Sequence, residues 1–389
     1  MKYFFVLGSN PVLSAAEIAA VLPANTTYEL VADCLLVEAA GKDLDVAELM
    51  ERLGGTIKIG QIVGEAKEAD LAAVIARTIE PSPGKKFNFG FSVCGRLRRP
   101  LKNLAMELKR HWQEAGVNCR WVVSKEKNLS SVVVEQNGLV AGGAEIILAA
   151  LSDKILIGRT LAVQPFKDWS RRDYGRPARD DLSGMLPPKL ARIMLNLVQA
   201  QSGEVILDPF CGSGTILTEA AWLGLNNLIG SDVSQRALAD TKNNLAWLEE
   251  HYQRPEWRCR FYQADAAKLT KLLGRQSVDK IVTEPYLGPS RGQLKIASLV
   301  KQLTALYNRV LKEFYQLLKP SGRLVMVWPV FIGGRQSTTL DLDLSGFKII
   351  KPLPLSLSQT GLKASQRQTI VYGRPGQKIW REIVILQKK

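Results

Sequence analysis

EVILDPFCGSGTILTEAAWLG, residues 204 to 224, decides how the chain is read. Val205, Ile206 and Leu207 have strand character and lead to Asp208, a glycine-rich turn follows, and good helix formers run from Ile216 to Leu223. The order predicts a strand, a tight loop and a helix. Gly212 and Gly214 let the backbone approach a ligand with no Cβ in the way, while Ser213 and Thr215 are expected to cap a helix whose free N–H groups face that ligand. Dinucleotide sites use the same turn. A carboxylate closing the first strand, however, repels a pyrophosphate and suits an ammonium or amide-like donors, which S-adenosylmethionine presents. A P-loop fits less well than a dinucleotide site, because no GK[ST] follows the glycines.

Downstream the strand-then-helix pattern repeats. Leu228–Ser231 reads as a second strand ending at Asp232, 24 residues after Asp208, where such folds place an acid that takes ribose hydroxyls. Arg258–Gln263 leads to Asp265, and Val278–Thr283 leads to EPYLGPS, which opens with Glu284. Carboxylates thus follow four successive strands at the ends that line the ligand crevice of a doubly wound sheet. A helix from about Lys295 to Leu318 precedes strands at Arg323–Trp328, Phe347–Pro352, Gln368–Tyr372 and Trp380–Leu386, the last two joined by GRPGQK.

The chain has 389 residues, enough for two or three domains, with 46% hydrophobic and 23% charged residues, as in an ordinary folded protein. The amino-terminal apolar run, Tyr3 to Leu7, is too short for a signal segment and reads as a strand. Five cysteines without a CxxC pair indicate neither a disulfide framework nor a zinc ribbon, so a reducing cytoplasm and no metal are expected. Two histidines leave little material for His-dependent chemistry. The net charge of +15 is unevenly placed. Residues 1–80 hold 6 Lys/Arg against 12 Asp/Glu, residues 85–127 hold 11 against 3, and residues 154–192 hold 9 against 4. Concentrated basicity of this kind is the electrostatic footprint of a polyanion.

Residues 1–80 alternate strands and helices as a small α+β unit, in which Ser14 is expected to cap a helix with Glu17 completing the box. IEPSPGKKF, Ile79 to Phe87, reads as a linker. Beyond it, CGRLRRPLKN, Cys94 to Asn103, opens a helix from about Leu101 to Ala115, and Arg96, Arg98, Arg99 and Lys102 are candidate phosphate clamps. Phe166–Leu186 mixes Trp169 and Tyr174 with Arg171, Arg172 and Arg176, a pattern that serves either to stack and pair with nucleotides or to pin two domains together.

DPFCGSGT, PPKLARIMLNLV, VTEPYLG and YGRPGQKIWREIVI together resemble the THUMP-domain RNA methyltransferases, in particular the group that methylates guanine N2 in tRNA. YFFVLGSNPVLSAAEI and RLGGTIKIG are similar to that group's amino-terminal unit. The resemblance implies a ferredoxin-like unit over 1–80, a THUMP module over 81–165 and a Rossmann-like class I methyltransferase domain over 166–389, its last strand reversed. It further implies S-adenosylmethionine held by Asp208, Phe210, Gly212, Gly214 and Thr215, with Asp232 on the ribose and Asp265 on the adenine amine. Members carry Asp or Asn, two prolines and an aromatic after the fourth strand, where this chain has Thr283, Glu284, Pro285, Tyr286, Leu287 and Gly288. Starting the motif at Thr283 keeps Tyr286 as the aromatic; starting it at Glu284 keeps Gly288 in register. Two alternatives stand beside the tRNA enzyme: an amino-methyltransferase acting on adenine or cytosine in DNA, and a non-catalytic RNA-binding protein with a degenerate cofactor domain.

Overall fold

Every residue from Tyr3 to Leu7 is buried, so the first strand is covered on both faces and reads as an unbroken apolar run. In this computed structural model the described residues are 1–39, 43–81, 85–126, 128–179, 185–253, 256–289, 292, 295–333 and 336–389. Residues 82–84 of the expected linker, 180–184 of the arginine-rich segment and Ser290 lie outside them.

The chain forms two compact units, one of residues 1–15, 22–167 and 355–362, the other of residues 16–21, 168–354 and 363–389. In the first half of the chain the elements are β1 (Lys2–Leu7), α1 (Pro11–Val21), β2 (Thr27–Val31), β3 (Cys34–Glu38), α2 (Val46–Arg52), β4 (Thr56–Ala66), α3 (Leu71–Thr78), β5 (Phe87–Cys94), α4 (Leu101–Glu114), β6 (Cys119–Val122), α5 (Ser131–Gln136), β7 (Ala144–Ala150) and β8 (Ile155–Val163). Helix α1 starts earlier than expected: Asn10 Oδ1 accepts from the Leu13 N–H, and Ser14 instead donates its hydroxyl to the Gly55 carbonyl.

Among the described residues, eight strands make one sheet in the order β2-β3-β1-β4-β8-β7-β5-β6. Its first four strands follow the ferredoxin-like order and pair antiparallel. Strand β4 has two pairing edges, and its second takes β8 from Lys58↔Val163 to Ala66↔Ile155. The boundary read at residues 80–86 therefore divides no sheet; segments 1–80 and 81–165 share one. Cys34 and Cys94 are also joined, as a disulfide with their Cα atoms 5.9 Å apart. Counting cysteines in the sequence missed it because the partners lie 60 residues apart.

The remaining elements are α6 (Phe166–Tyr174), α7 (Pro188–Leu197), β9 (Val205–Asp208), α8 (Thr215–Trp222), β10 (Asn227–Asp232), α9 (Gln235–His251), β11 (Arg258–Gln263), α10 (Thr270–Leu273), β12 (Val278–Thr283), α11 (Ile296–Leu317), β13 (Leu318–Gly333), β14 (Gln336–Thr339), β15 (Phe347–Ile349), α12 (Leu355–Ser358), β16 (Ile370–Tyr372) and β17 (Ile379–Lys388). The second sheet runs β11-β10-β9-β12-β13-β17-β15, parallel through β13, with β17 antiparallel to β13. This is a Rossmann-like doubly wound sheet with a reversed strand. Chain order reverses between β9 and β12, the place where such sheets open a ligand crevice. Behind it, Tyr307 and Phe314 of α11 and Trp328 of β13 belong to one buried hydrophobic cluster.

The arginine-rich segment turns inward. Arg172 is 3% exposed and Arg176 4%, so these two candidate RNA contacts do not lie on the surface. Arg172 Nε donates to Glu219 of α8 at 2.8 Å, and Arg192 of α7 donates to the other Glu219 oxygen. Arg172 is also sandwiched between the rings of Trp169 and Trp222, at 4.3 and 3.9 Å from their centroids. One buried carboxylate thus holds two guanidiniums. Glu219→Gln is expected to lower unfolding free energy by about 3–5 kcal/mol, because two buried charges lose their counter-ion. Denaturant titration checks this, with Arg98→Ala, at an exposed loop position, expected to change stability by less than about 0.5 kcal/mol.

Candidate active site

The loop between β9 and α8 is shaped by two glycines. Gly214 takes φ 82°, where an added Cβ would fall 2.6 Å from Thr241 Cγ2, so a side chain is excluded by conformation and by space. Gly212, at φ 52°, would place its Cβ in open space. Helix α9 fastens the loop from one side: the Thr241 hydroxyl donates to the Gly212 carbonyl at 2.7 Å and Asn244 Nδ2 to the Ser213 carbonyl at 2.7 Å. Contrary to expectation, neither Ser213 nor Thr215 caps α8. Gly214 is the cap residue without a side-chain bond, and Thr215 Oγ1 accepts from Arg176 at 2.6 Å.

Four strand ends then deliver the carboxylates. Asp232, closing β10, accepts from the Gly212 N–H at 3.1 Å and the Ser234 N–H at 2.9 Å, one on each oxygen. Asp265 accepts from the Ala267 N–H at 3.0 Å. Asp208, closing β9, is 1% exposed, and both its donors, the Thr283 hydroxyl at 2.8 Å and the Phe210 N–H at 3.2 Å, converge on Oδ1. No donor among the described residues reaches its Oδ2. Burial pushes its pKa from 3.8 to about 7; the two hydrogen bonds pull it down, and the charges of Asp232 and Glu284 push it up. Phe210, half-buried, packs against the core beneath the loop.

Beyond β12 the chain divides its labour residue by residue. Thr283 is fully buried and its hydroxyl donates to Asp208. Glu284 is held by Arg381 of β17, whose Nε and one terminal nitrogen donate to its two oxygens at 2.5 and 3.0 Å. Tyr286 is 53% exposed, while its backbone carbonyl accepts from the buried Tyr307 hydroxyl at 3.3 Å.

These groups fit S-adenosylmethionine. Asp208 offers an oxygen without a donor for an ammonium, Asp232 and Asp265 keep lone pairs beyond their backbone bonds, and the loop at Gly212 has room for a ligand atom. Of the other candidates, Arg96, Arg98, Lys102 and Arg171 are exposed. Arg99 is half-buried, pairs with Glu107 and donates its N–H to Glu68 at 2.5 Å. The sequence reading missed Arg381, Tyr307 and the two α9 residues that fix the loop. A charged residue inside the apolar run IWREIVIL was the available signal for the first.

Residues 176–330 match the family described as RMKL-like, methyltransferase domain, and residues 96–243 match one described as DNA methylase. A "Probable tRNA (guanine(10)-N2)-dimethyltransferase" of Methanothermococcus thermolithotrophicus is 39% identical over 159 residues, 40% of this chain and 85% of that protein. The chain belongs to the tRNA (guanine-N2)-methyltransferase family. Two further relatives are named tRNA (guanine(10)-N2)-dimethyltransferase. That of Pyrococcus abyssi is 26% identical over 90% of this chain and 94% of its own length; that of Methanothermobacter thermautotrophicus is 29% identical over 53% of this chain and 58% of its own. In fold the chain is similar to the crystal structure of TrmN from Thermus thermophilus, with TM-score 0.51, 19% identity and full coverage of both chains. As a member of this methyltransferase family it uses S-adenosylmethionine as cofactor.

A carboxyl whose folded pKa lies above its unfolded value destabilises the fold as pH rises between the two, here from about 3.8 to about 7. Asp208→Asn keeps an oxygen for Thr283 and Phe210 and removes the charge. In cofactor-free protein the variant is expected to be more stable than wild type at pH 8, with the gain shrinking as pH falls through 7 and vanishing near pH 4. Denaturation across that range checks it; a gain independent of pH contradicts the burial of an ionisable group at this position.

Proposed function

We propose that this protein transfers a methyl group from S-adenosylmethionine to the exocyclic N2 of a guanosine in tRNA, with Glu284 as the principal acceptor for the target amine. The observation that carries the reading is the position of Glu284: it directly follows β12, on the far side of the chain reversal from Asp208, with an exposed aromatic two residues on.

The cofactor supplies an electrophilic methyl on sulfonium. The guanine amine is a poor nucleophile because its lone pair is drawn into the ring. Glu284 and the Pro285 carbonyl each accept one of its N–H bonds, which returns electron density to nitrogen and aims the lone pair along the line of attack. The nitrogen–carbon bond would form as the carbon–sulfur bond breaks with its electron pair left on sulfur, and the nitrogen, acidic once methylated, would pass its proton to water without a histidine base. Tyr286 stacks on the base after it has swung out of its helix, its backbone held from below by Tyr307. Asp208, Phe210, Gly212, Gly214 and Thr215 surround the methionine part, Asp232 takes the ribose hydroxyls and Asp265 the adenine amine.

We assign residues 1–80 as the ferredoxin-like unit, 81–165 as the THUMP module and 166–389 as the methyltransferase domain. Exposed Arg96, Arg98 and Lys102, with Arg171, serve as contacts to phosphates. The proposed compartment is the cytoplasm. Among the described residues no helix is long and apolar enough to cross a membrane.

Incubation with tRNA and labelled cofactor, followed by nucleoside analysis, tests the reading: N2-methylguanosine is expected, and methylated adenine or cytosine from DNA would overturn it. Glu284→Gln should lower the rate about 10² or more at nearly unchanged cofactor affinity. Asp232→Ala should weaken S-adenosylmethionine at least about tenfold by calorimetry, since charge-assisted bonds to hydroxyls are worth about 1.5–3 kcal/mol each. A folded Asp232→Ala protein with unchanged affinity contradicts the ribose assignment.

Affinity for tRNA is expected to fall steeply with salt. Reversing Arg96 and Arg98 to Glu should reduce the slope of log K against log salt by about 1 for each phosphate no longer neutralised. Binding that ignores salt, or a slope untouched by both reversals, removes this loop from the RNA surface.

A further inference from the structure

Glu284 has three rotatable bonds between its backbone and its carboxylate, so the sequence position alone does not fix where its acceptor oxygens point. The reversed strand does. Arg381 lies on β17, opposite Pro329 of β13 and Tyr372 of β16, and its guanidinium grips Glu284 through two parallel bonds of 2.5 and 3.0 Å. Both side chains are largely removed from solvent, at 13% exposure for Arg381 and 11% for Glu284. A fork-to-fork pair of this kind sets the plane of the carboxylate as well as its place. It also uses one lone pair of each oxygen and leaves the other on each facing away from the guanidinium.

We propose that Arg381 is a positioning residue for methyl transfer: by clamping one edge of Glu284 it fixes the plane in which the remaining lone pairs meet the target amine. This deepens the function proposed above and rests on it. The guanidinium is suited to the task because burial, which opposes its charge, is outweighed by the Glu284 charge and hydrogen bonds, so its pKa stands above its ordinary value. Arg381 touches none of Asp208, Asp232 and Asp265 through any hydrogen bond or ion pair among the described residues, which makes Glu284 the route through which it acts. A bare ammonium on a flexible stem gives a point contact without fixing the plane, so lysine should restore charge more fully than geometry.

Four proteins test the proposal: Arg381→Met, Arg381→Lys, Glu284→Gln and the Arg381→Met/Glu284→Gln double variant. Arg381→Met is expected to lower kcat at least tenfold while KM for tRNA and the calorimetric affinity for S-adenosylmethionine move less than threefold, and Arg381→Lys should recover part of kcat. The double variant should be no slower than Glu284→Gln alone, because the arginine has nothing left to position. Losses that multiply, or a fall in cofactor affinity that tracks a fall in thermal stability, would overturn the proposal in favour of a purely structural arginine. A binding-independent readout accompanies the kinetics: the Arg381 Nε–H resonance should be protected from exchange in wild type and lose that protection in a further variant, Glu284→Ala, which keeps no side-chain acceptor. If wild type methylates no guanosine but the resonance responds, the proposed function fails and the clamp stands; if the resonance does not respond, the clamp itself is refuted.

Discussion

Carboxylates gathered at one end of a sheet repel one another, and the site exists because each is offset in a different way. Asp208 sits deepest and titrates near 7, with two donors on a single oxygen. Asp232 is met by two backbone N–H groups, one of which belongs to the glycine loop itself. Among the described residues Glu284 is the acid of this group with a full counter-charge, and it comes from the reversed strand. Effective dielectric falls with burial, so the same charge is handled by hydrogen bonds near the surface and by neutrality in the interior. The order of the strands decides which acid receives which treatment.

Rigidity around the glycine loop follows from side chains on several helices. Thr241 and Asn244 of α9 hold the loop's carbonyls, and Arg176 holds Thr215 at the start of α8. One turn further along α8, Glu219 is gripped by Arg172 and Arg192. A ligand entering such a loop meets donors and acceptors already in place, which reduces the ordering that binding requires. The two buried arginines are held in position by Trp169 and Trp222 as well as by Glu219, since aromatic faces accept a guanidinium that would otherwise be costly to bury.

The catalytic half was legible wherever a strand ended in an acid. EVILD, LIGSD and KIVTE each combine a short apolar run with a terminal carboxylate, and local pattern is enough to place those residues at the crevice. What could not be read is what lies across the sheet. Arg381 and Glu284 are 97 residues apart, Thr283 and Asp208 are 75 apart, and Cys34 and Cys94 are 60 apart. No local periodicity reports such pairings, which arise from strand order and register. The same limitation hid the β4–β8 ladder, because a Pro- and Gly-bearing connection such as IEPSPGKKF marks a loop whether or not the flanking segments share a sheet.

Arginines show how far charge counting carries. Trp169 and Arg172 are spaced by three residues, the period of one helical face, and Arg176 follows past the end of α6, whereas Arg171 lies off that stripe. The structure buries the first three and exposes Arg171. An aromatic in step with Arg172 was therefore a sign of an inward face, where cation–π contact and a buried carboxylate replace water, and the segment's net charge overstated what it offers a polyanion. The loop after β5 differs in this respect: Arg96 and Arg98 alternate with half-buried Leu97 and remain exposed. Alternation in an extended segment sends those charges to solvent while the leucine packs beneath, so a basic surface survives folding there.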